Sequence, residues 1–162
     1  MDIKIPKERE CGDCQACCIA PYIDDPELKK GAFEDCRNLC ETGCSIYQNR
    51  PQTCRAFECG WLLGAMDDDW RPDKSGIMLT CNDPFGKRSI FAWEVKRNAS
   101  NSARIRKGLA KLRDAMQMTV IIYEYGLPVL DNWLIHEDKL VKIDDNIYKL
   151  TCAAAKAGMP MT

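Results

Sequence analysis

Histidine is almost missing from this chain, with His136 the single example in 162 residues. That argues against mixed Cys/His zinc sites of the finger type, and a lone histidine in a polar HEDK stretch reads as an exposed side chain. Long apolar runs are missing too. None approaches the ~20 residues needed to cross a bilayer, so no membrane association is expected. The N-terminal MDIKIPKERE alternates charge and holds no apolar core of the kind a secretory signal needs, which makes the cytoplasm the expected compartment. Phosphate-cradling loops are absent: there is no G-x-G-x-x-G. The Gly86-Lys87-Arg88-Ser89 string places Cys81 where a Walker A loop requires its first glycine. No G-x-S-x-G elbow appears, nor any internal repeat or low-complexity tract.

Cysteine, by contrast, is abundant. Nine of the 11 cysteines fall in the first 59 residues: Cys11, Cys14, Cys17, Cys18, Cys36, Cys40, Cys44, Cys54 and Cys59, with Cys81 and Cys152 isolated. Such crowding means either a disulfide framework or thiolate–metal ligation. An odd number cannot pair completely within one chain, and structural disulfides are rare in a reducing cytosol, so ligation is preferred. Metals deprotonate thiols outright, turning a group of cysteines into soft anionic ligands. Structural zinc takes four such ligands, often from C-x2-4-C pairs, and iron–sulfur clusters also use cysteines two residues apart. In CGDCQACC the spacings are two, two and zero. On a helix, Cys11, Cys14 and Cys18 fall within ~60° of one another and Cys17 lies ~60° further round; in a strand Cys17 and Cys18 face opposite ways. Either way the adjacent pair is poorly placed to grip one ion. Two metal positions, or one cluster with a spare thiolate beside it, both remain open.

Length and composition, 46% hydrophobic and 29% charged, suit one α+β domain spanning 1–162. A cysteine-cluster region is expected over 1–65 and an α+β region over 66–162. The first 60 residues carry turn formers (Pro21, Pro26, Gly31, Gly43, Pro51), little strand or helix pattern and few large aliphatics, so this layer would need staples. Met66 to Pro84, with Asp67, Asp68, Asp69, Trp70, Arg71 and Pro72, reads as an exposed loop whose acidic run is solvated. Gly76 to Cys81 and Ser89 to Val95 read as short strands joined by a turn around Pro84, Phe85 and Gly86. Ser100 or Ser102 is placed to cap a helix reaching Met116, with Ile105, Leu109, Leu112 and Met116 on one face. Thr119 to Tyr125 reads as a buried strand ended by Gly126 and Pro128, and Leu140 to Ala157 as a strand–turn–helix. The expected architecture is a cysteine-rich metal-binding layer packed on a small sheet with one amphipathic helix.

The second cysteine block, CRNLCETGCSIYQNRPQTCRAFECGWL, makes a resemblance specific. CxxCxxCC followed by Cys-x2-Leu and Cys-x-Ile-Tyr-x2-Arg-Pro-x2-Cys-Arg-x-Phe-x-Cys resembles the bacterial and archaeal cysteine-cluster family of zinc- or iron-chelating domains, the YkgJ type. The likeness covers Cys11 to Leu63, with a weaker echo at Trp70, Pro72 and Gly76. It implies metal ligation by Cys11, Cys14, Cys17, Cys18, Cys36, Cys44, Cys54 and Cys59, and leaves Cys40, Cys81 and Cys152 outside the pattern. The cofactor implied is a zinc ion or iron. A related motif in flagellin lysine N-methylases is associated with an iron–sulfur cluster, which makes a [4Fe–4S] enzyme or redox module the alternative. No catalytic residue follows from the motif.

Charge is unevenly spread. Residues 1–86 carry a net −6, residues 87–113 a net +8 and residues 114–162 a net −3. Arg37, Arg50 and Arg55 interleave with the thiols, where guanidinium groups would offset the excess charge of a thiolate site. Phe57, Trp61 and Leu62 are expected to cover that site with apolar surface. The basic residues Lys96, Arg97, Arg104, Arg106, Lys107, Lys111 and Arg113 could track a phosphate backbone. No aromatic interleaves with them to stack on bases, so a solvated face or an intramolecular contact is preferred over nucleic acid as partner.

Overall fold

The computed structural model describes residues 9–83, 86–127 and 139–157. Its centre is a five-stranded sheet of β5 (Ile77–Asn82), β6 (Ser89–Glu94), β7 (Thr119–Tyr123), β8 (Val141–Asp144) and β9 (Ile147–Leu150), in the order β5-β6-β7-β9-β8. β5 pairs antiparallel with β6, while β6–β7 and β7–β9 are parallel. The chain is thus mixed α and β, with α4 (Ala103–Met116) as the crossover between the parallel strands β6 and β7. Every residue of β6 is buried, as a central strand covered on both faces requires. Phe91 and Trp93 share one face of it by alternation. Tyr123, opposite Trp93, stacks on that indole at 4.3 Å between ring centroids.

Helix α4 forms where the apolar stripe indicates. Ile105, Leu109 and Leu112 are buried, Met116 packs at the rim, and Gln117 ends the helix in the left-handed region at φ 52°. Ser102 occupies the N-cap position without a side-chain cap hydrogen bond. At the C-terminal end of β6 the fully buried Glu94 carboxylate accepts hydrogen bonds from the Ser100 amide and hydroxyl and the Tyr125 amide, and pairs with Lys149 at 3.2 Å. Burial opposes ionisation there, but the bonds from Ser100 and Tyr125 and the Lys149 charge outweigh it and hold the carboxyl below its ordinary range.

Several local expectations are corrected. The first 60 residues hold more regular structure than their turn formers suggest. They contain the one-turn α1 (Ala16–Ile19), an antiparallel ribbon of β1 (Ile23–Asp25) and β2 (Leu28–Lys30), a hairpin of β3 (Leu39–Cys40) and β4 (Gly43–Cys44), and α2 (Gln52–Ala56). Met66 to Pro84 is not simply an exposed loop. Trp70 is buried, α3 (Pro72–Ser75) follows, and β5 begins at Ile77. Leu140 to Ala157 contains two strands, not one, before α5 (Cys152–Ala157), because Asn146 takes a positive φ of 53° and turns the chain back. Pro84, Phe85, Pro128 and His136 lie outside the described residues. Among the described residues no helix is long and apolar enough to cross a membrane.

The N-terminal segment rests on the sheet at identifiable points. Phe33 lies against the rings of Trp93 and Tyr125, at 6.3 and 5.6 Å between centroids. The Gly60 amide donates to the Leu79 carbonyl of β5 at 2.7 Å. Arg9 donates to the carbonyls of Trp61 and Met66, pairs with Asp68 at 2.9 Å and covers the Trp61 ring.

Candidate metal centre

Local backbone geometry carries seven of the cysteines towards one cleft. Gly12, at φ +55°, lets Cys11 and Cys14 close a turn with the Cys14 amide on the Cys11 carbonyl at 3.0 Å. Cys17 and Cys18 follow in α1. The Cys36 amide donates to the Cys18 carbonyl at 2.9 Å, which fixes the second cysteine segment against the first. From Cys36 the chain enters the β3–β4 hairpin, where Cys44 stands opposite Leu39. Pro51 occupies the N-cap position of α2, and the Cys54 amide bonds its carbonyl at 3.0 Å. Cys59 follows, buried, at the margin of the sheet core.

These elements enclose a cleft of about 140 Å³ lined by Cys11, Cys14, Cys17, Cys18, Cys36, Cys44 and Cys54. Its remaining wall is largely apolar, with Leu28, Ile46, Pro51 and Phe57. Cys59 does not line the cleft but lies close enough to Cys11 for its charge to be felt there. Cys40 faces elsewhere, with its sulfur 3.6 Å from the Thr42 hydroxyl. Cys81 is exposed on β5, and the Cys152 thiol donates to the Tyr125 carbonyl at 3.7 Å. All 11 cysteines are free thiols. Among the described residues no three Cys, His, Asp or Glu side chains are drawn into a formed ligand set. The donor chemistry nonetheless suits a thiophilic metal: seven soft sulfurs share one small apolar cleft with no histidine or carboxylate on its wall.

The electrostatics are those of crowded thiols. Burial pushes Cys11 up, and the neighbouring Cys59 and Cys14 add to it. Burial also raises Cys14, and it raises Cys54 with help from Cys36, Cys18 and Cys44. The adjacent pair splits: the Cys17 thiol donates a hydrogen bond to the Cys18 sulfur, so Cys17 is driven far up while Cys18 falls to about 7, aided by Lys30 and Arg50.

Three cations attend the thiols, and only one of them was expected from sequence. Arg50 lines the cleft, donates to the Tyr47 carbonyl at 2.8 Å and stacks on the Tyr47 ring at 3.8 Å. Arg55 and Arg37 are exposed, and Arg37 donates to the Glu27 carbonyl at 3.5 Å. Lys30, not expected from the sequence, stands among the thiols. It is buried, with its ammonium donating to the carbonyls of Ile19, Pro21 and Gly31, beside Cys36 and Cys18. Burial lowers its pKa, and those neighbouring sulfurs work in the other direction. Arg71 donates to the Cys11 carbonyl at 2.9 Å and pairs with Asp13 and Asp73. The strand alternation of Leu28-Lys29-Lys30 could have flagged Lys30, because it shares its face with the buried Leu28. No spacing rule connects Arg71 to Cys11, 60 positions earlier. Of the expected apolar cover, Phe57 lines the cleft, while Trp61 and Leu62 belong to the core beside it.

Comparison with protein-family models, with curated proteins and with solved structures found no match.

Proposed function

We propose that this chain is a thiolate metal-binding protein in which Cys11, Cys14, Cys17, Cys18, Cys36, Cys44, Cys54 and Cys59 hold zinc or iron. The observation that carries this reading is the convergence of seven of these cysteines on one apolar cleft, with the eighth beside Cys11. It agrees with the resemblance to the zinc- or iron-chelating YkgJ type, whose pattern selects the same eight. Free thiols throughout suit a reducing compartment, and a cytoplasmic location belongs to the proposal.

The layer around the cleft has reason to need a metal. Outside the core cluster that it shares with the sheet, its buried apolar side chains are few, Leu28 and Cys36 among the described residues. Structural zinc contributes an apparent ~10–16 kcal/mol at neutral pH, as much as a domain's whole stability of ~5–15 kcal/mol. Zinc is favoured over iron because no electron-transfer partner is marked in the chain. Bound zinc would supply a structural crosslink, and an iron–sulfur cluster would supply an electron carrier.

Metal analysis and an absorption spectrum of the protein purified without air test the proposal. Near-stoichiometric zinc in a colourless protein is the expected result. Brown protein with acid-labile sulfide would replace zinc by the iron–sulfur reading, and reduced protein that takes up neither metal would end both.

A further inference from the structure

A second groove lies away from the cysteine cleft, between α4 and the segment leading into α3. It holds about 440 Å³ and is floored by Trp70, with Met66 and Asp67 on one wall and Leu112 and Ala115 of α4 on the other. Arg104, Lys107 and Lys111 line the α4 side as well. Helical steps of ~100° place these three cations within ~60° of one another, and put Gly108 and Ala115 on the sector between them and the buried stripe. The groove is therefore apolar within and cationic along one rim.

The fold makes little use of those cations. Among the described residues neither Lys107 nor Lys111 has an ion pair or a side-chain hydrogen bond, and Arg104 has the Asp69 carbonyl at 3.4 Å and the edge of the Trp70 floor. The other two cations of α4 are engaged: Arg106 donates to the Ser100 carbonyl at 3.0 Å, and Arg113 pairs with Asp114 and Asp144. Like charges three and four residues apart on a helix repel, and no carboxylate of the described chain relieves Lys107 or Lys111.

We propose that this groove docks an acidic amphipathic helix of a partner protein, a role separate from the metal-binding reading. Arg104 and Lys111 stand ~10 Å apart along α4, further than one compact anion reaches, so the partner is an extended chain. A helix lying beside α4 has the same rise, and carboxylates at i, i+3 and i+7 along one flank would meet the three cations. Its apolar stripe would rest over Trp70, Met66 and Leu112, the helix-in-groove mode of recognition. The rim charge is one-sided, since Asp67 stands on the opposite wall and Asp69 is exposed beside it. That asymmetry fixes which flank of the partner is acidic. It also disfavours a polyphosphate chain, and buried Trp70 offers no open ring face for a base to stack on.

The test uses the full-length reduced protein and a fluorescein-labelled amphipathic peptide of about 18 residues, long enough to hold a helix. It carries glutamate at i, i+3 and i+7 beside a leucine stripe, and binding is followed by anisotropy. The acidic peptide should bind, more weakly as salt rises, and the same peptide with lysine for glutamate should not. Joint replacement of Arg104, Lys107 and Lys111 by glutamine should weaken binding about tenfold or more, with the helical circular dichroism unchanged. Ala115→Trp fills the exposed groove, keeps every charge and should weaken binding as much. Should that variant not fold, Met66→Ala on the other wall should weaken binding in its place. No binding of the acidic peptide, or equal binding by the wild type and the triple variant, would overturn the proposal. So would loss in the triple variant with none in the groove variants, which would mean charge attraction alone. A single-stranded oligonucleotide that displaces the peptide and binds more tightly would give the face to nucleic acid, and a mass that doubles with concentration would give it to a second copy of this chain.

Discussion

Gly108 sits in the middle of α4, where sequence rules would mark it as a defect. Alanine there should stabilise the helix by about 1 kcal/mol on propensity alone. The structure argues the opposite. A Cβ at Gly108 would stand 2.0 Å from Cζ2 of Trp70, 2.8 Å from Cη2 and 3.0 Å from Cε2. Carbon atoms pack at about 3.5–4.0 Å, so the indole would have to retreat by about 1.5 Å. Trp70 is buried, its amide bonds the Asp67 carbonyl and Arg104 lies over its ring, so the ring has little room. Overpacking of this kind costs about 1–3 kcal/mol, and a contact this short belongs at the upper end. Subtracting the propensity gain leaves Gly108→Ala destabilised by about 1–2 kcal/mol, a drop of roughly 0.5–1 M in the urea midpoint. Helical circular dichroism against urea measures it, and a Trp70→Phe background should recover part of the loss. A Gly108→Ala protein as stable as the wild type, or more so, would refute the argument.

Replacing Glu94 by glutamine leaves Lys149 buried without its counter-charge, and should cost about 3–5 kcal/mol in the same urea assay. Because the folded carboxyl is held below its ordinary range, its contribution is complete above the unfolded value of about 4.3. It is lost as pH falls through the lower folded value, so the wild type should lose more stability in acid than Glu94→Gln. Parallel pH profiles for the two proteins would contradict this. Lys30→Met strips the donors from the carbonyls of Ile19, Pro21 and Gly31, and should cost about 1–3 kcal/mol and speed metal loss to a chelator. Arg104, Lys107 and Lys111 are exposed along a groove floored by Trp70, so their joint replacement by glutamine should change stability by no more than about 0.5 kcal/mol. Nucleic-acid binding with a steep salt slope that this triple variant flattens would show that the basic face tracks a phosphate backbone.

Periodicity made part of the fold readable in advance. The stripe Ile105, Leu109, Leu112 and Met116 admits one helical face, and the apolar run Ile90 to Trp93 within Ser89 to Val95 reads as a strand. Strand order is another matter, since no local pattern tells that β9 lies beside β7. The two C-terminal strands read as one because their turn uses Asn146 without glycine. Trp70 looked exposed because three aspartates precede it, whereas its burial depends on a missing Cβ at Gly108, about 40 positions away. The resemblance singles out eight cysteines, and seven of them line one cleft. Arg71 was invisible because its proximity to Cys11 spans 60 positions and leaves no local trace, whereas alternation with Leu28 could have flagged Lys30.

The hydrogen bond from Gly60 to Leu79 bears on how the two borders of the sheet are kept from other chains. At the β8 border the strand is short, charged and broken by a register shift between Lys142 and Asp144, devices that discourage a passing strand from pairing. The β5 border has no such device at Ile77, Met78 and Leu79, all buried and apolar. It is shielded instead by the backbone that follows Cys59, with a Cβ at Gly60 leaving only 2.8 Å to the Leu79 Cβ. That shield belongs to the cysteine layer and not to the sheet. Anything that loosens the layer would bare an apolar strand edge, so self-association by edge-to-edge pairing would begin at β5 and not at β8.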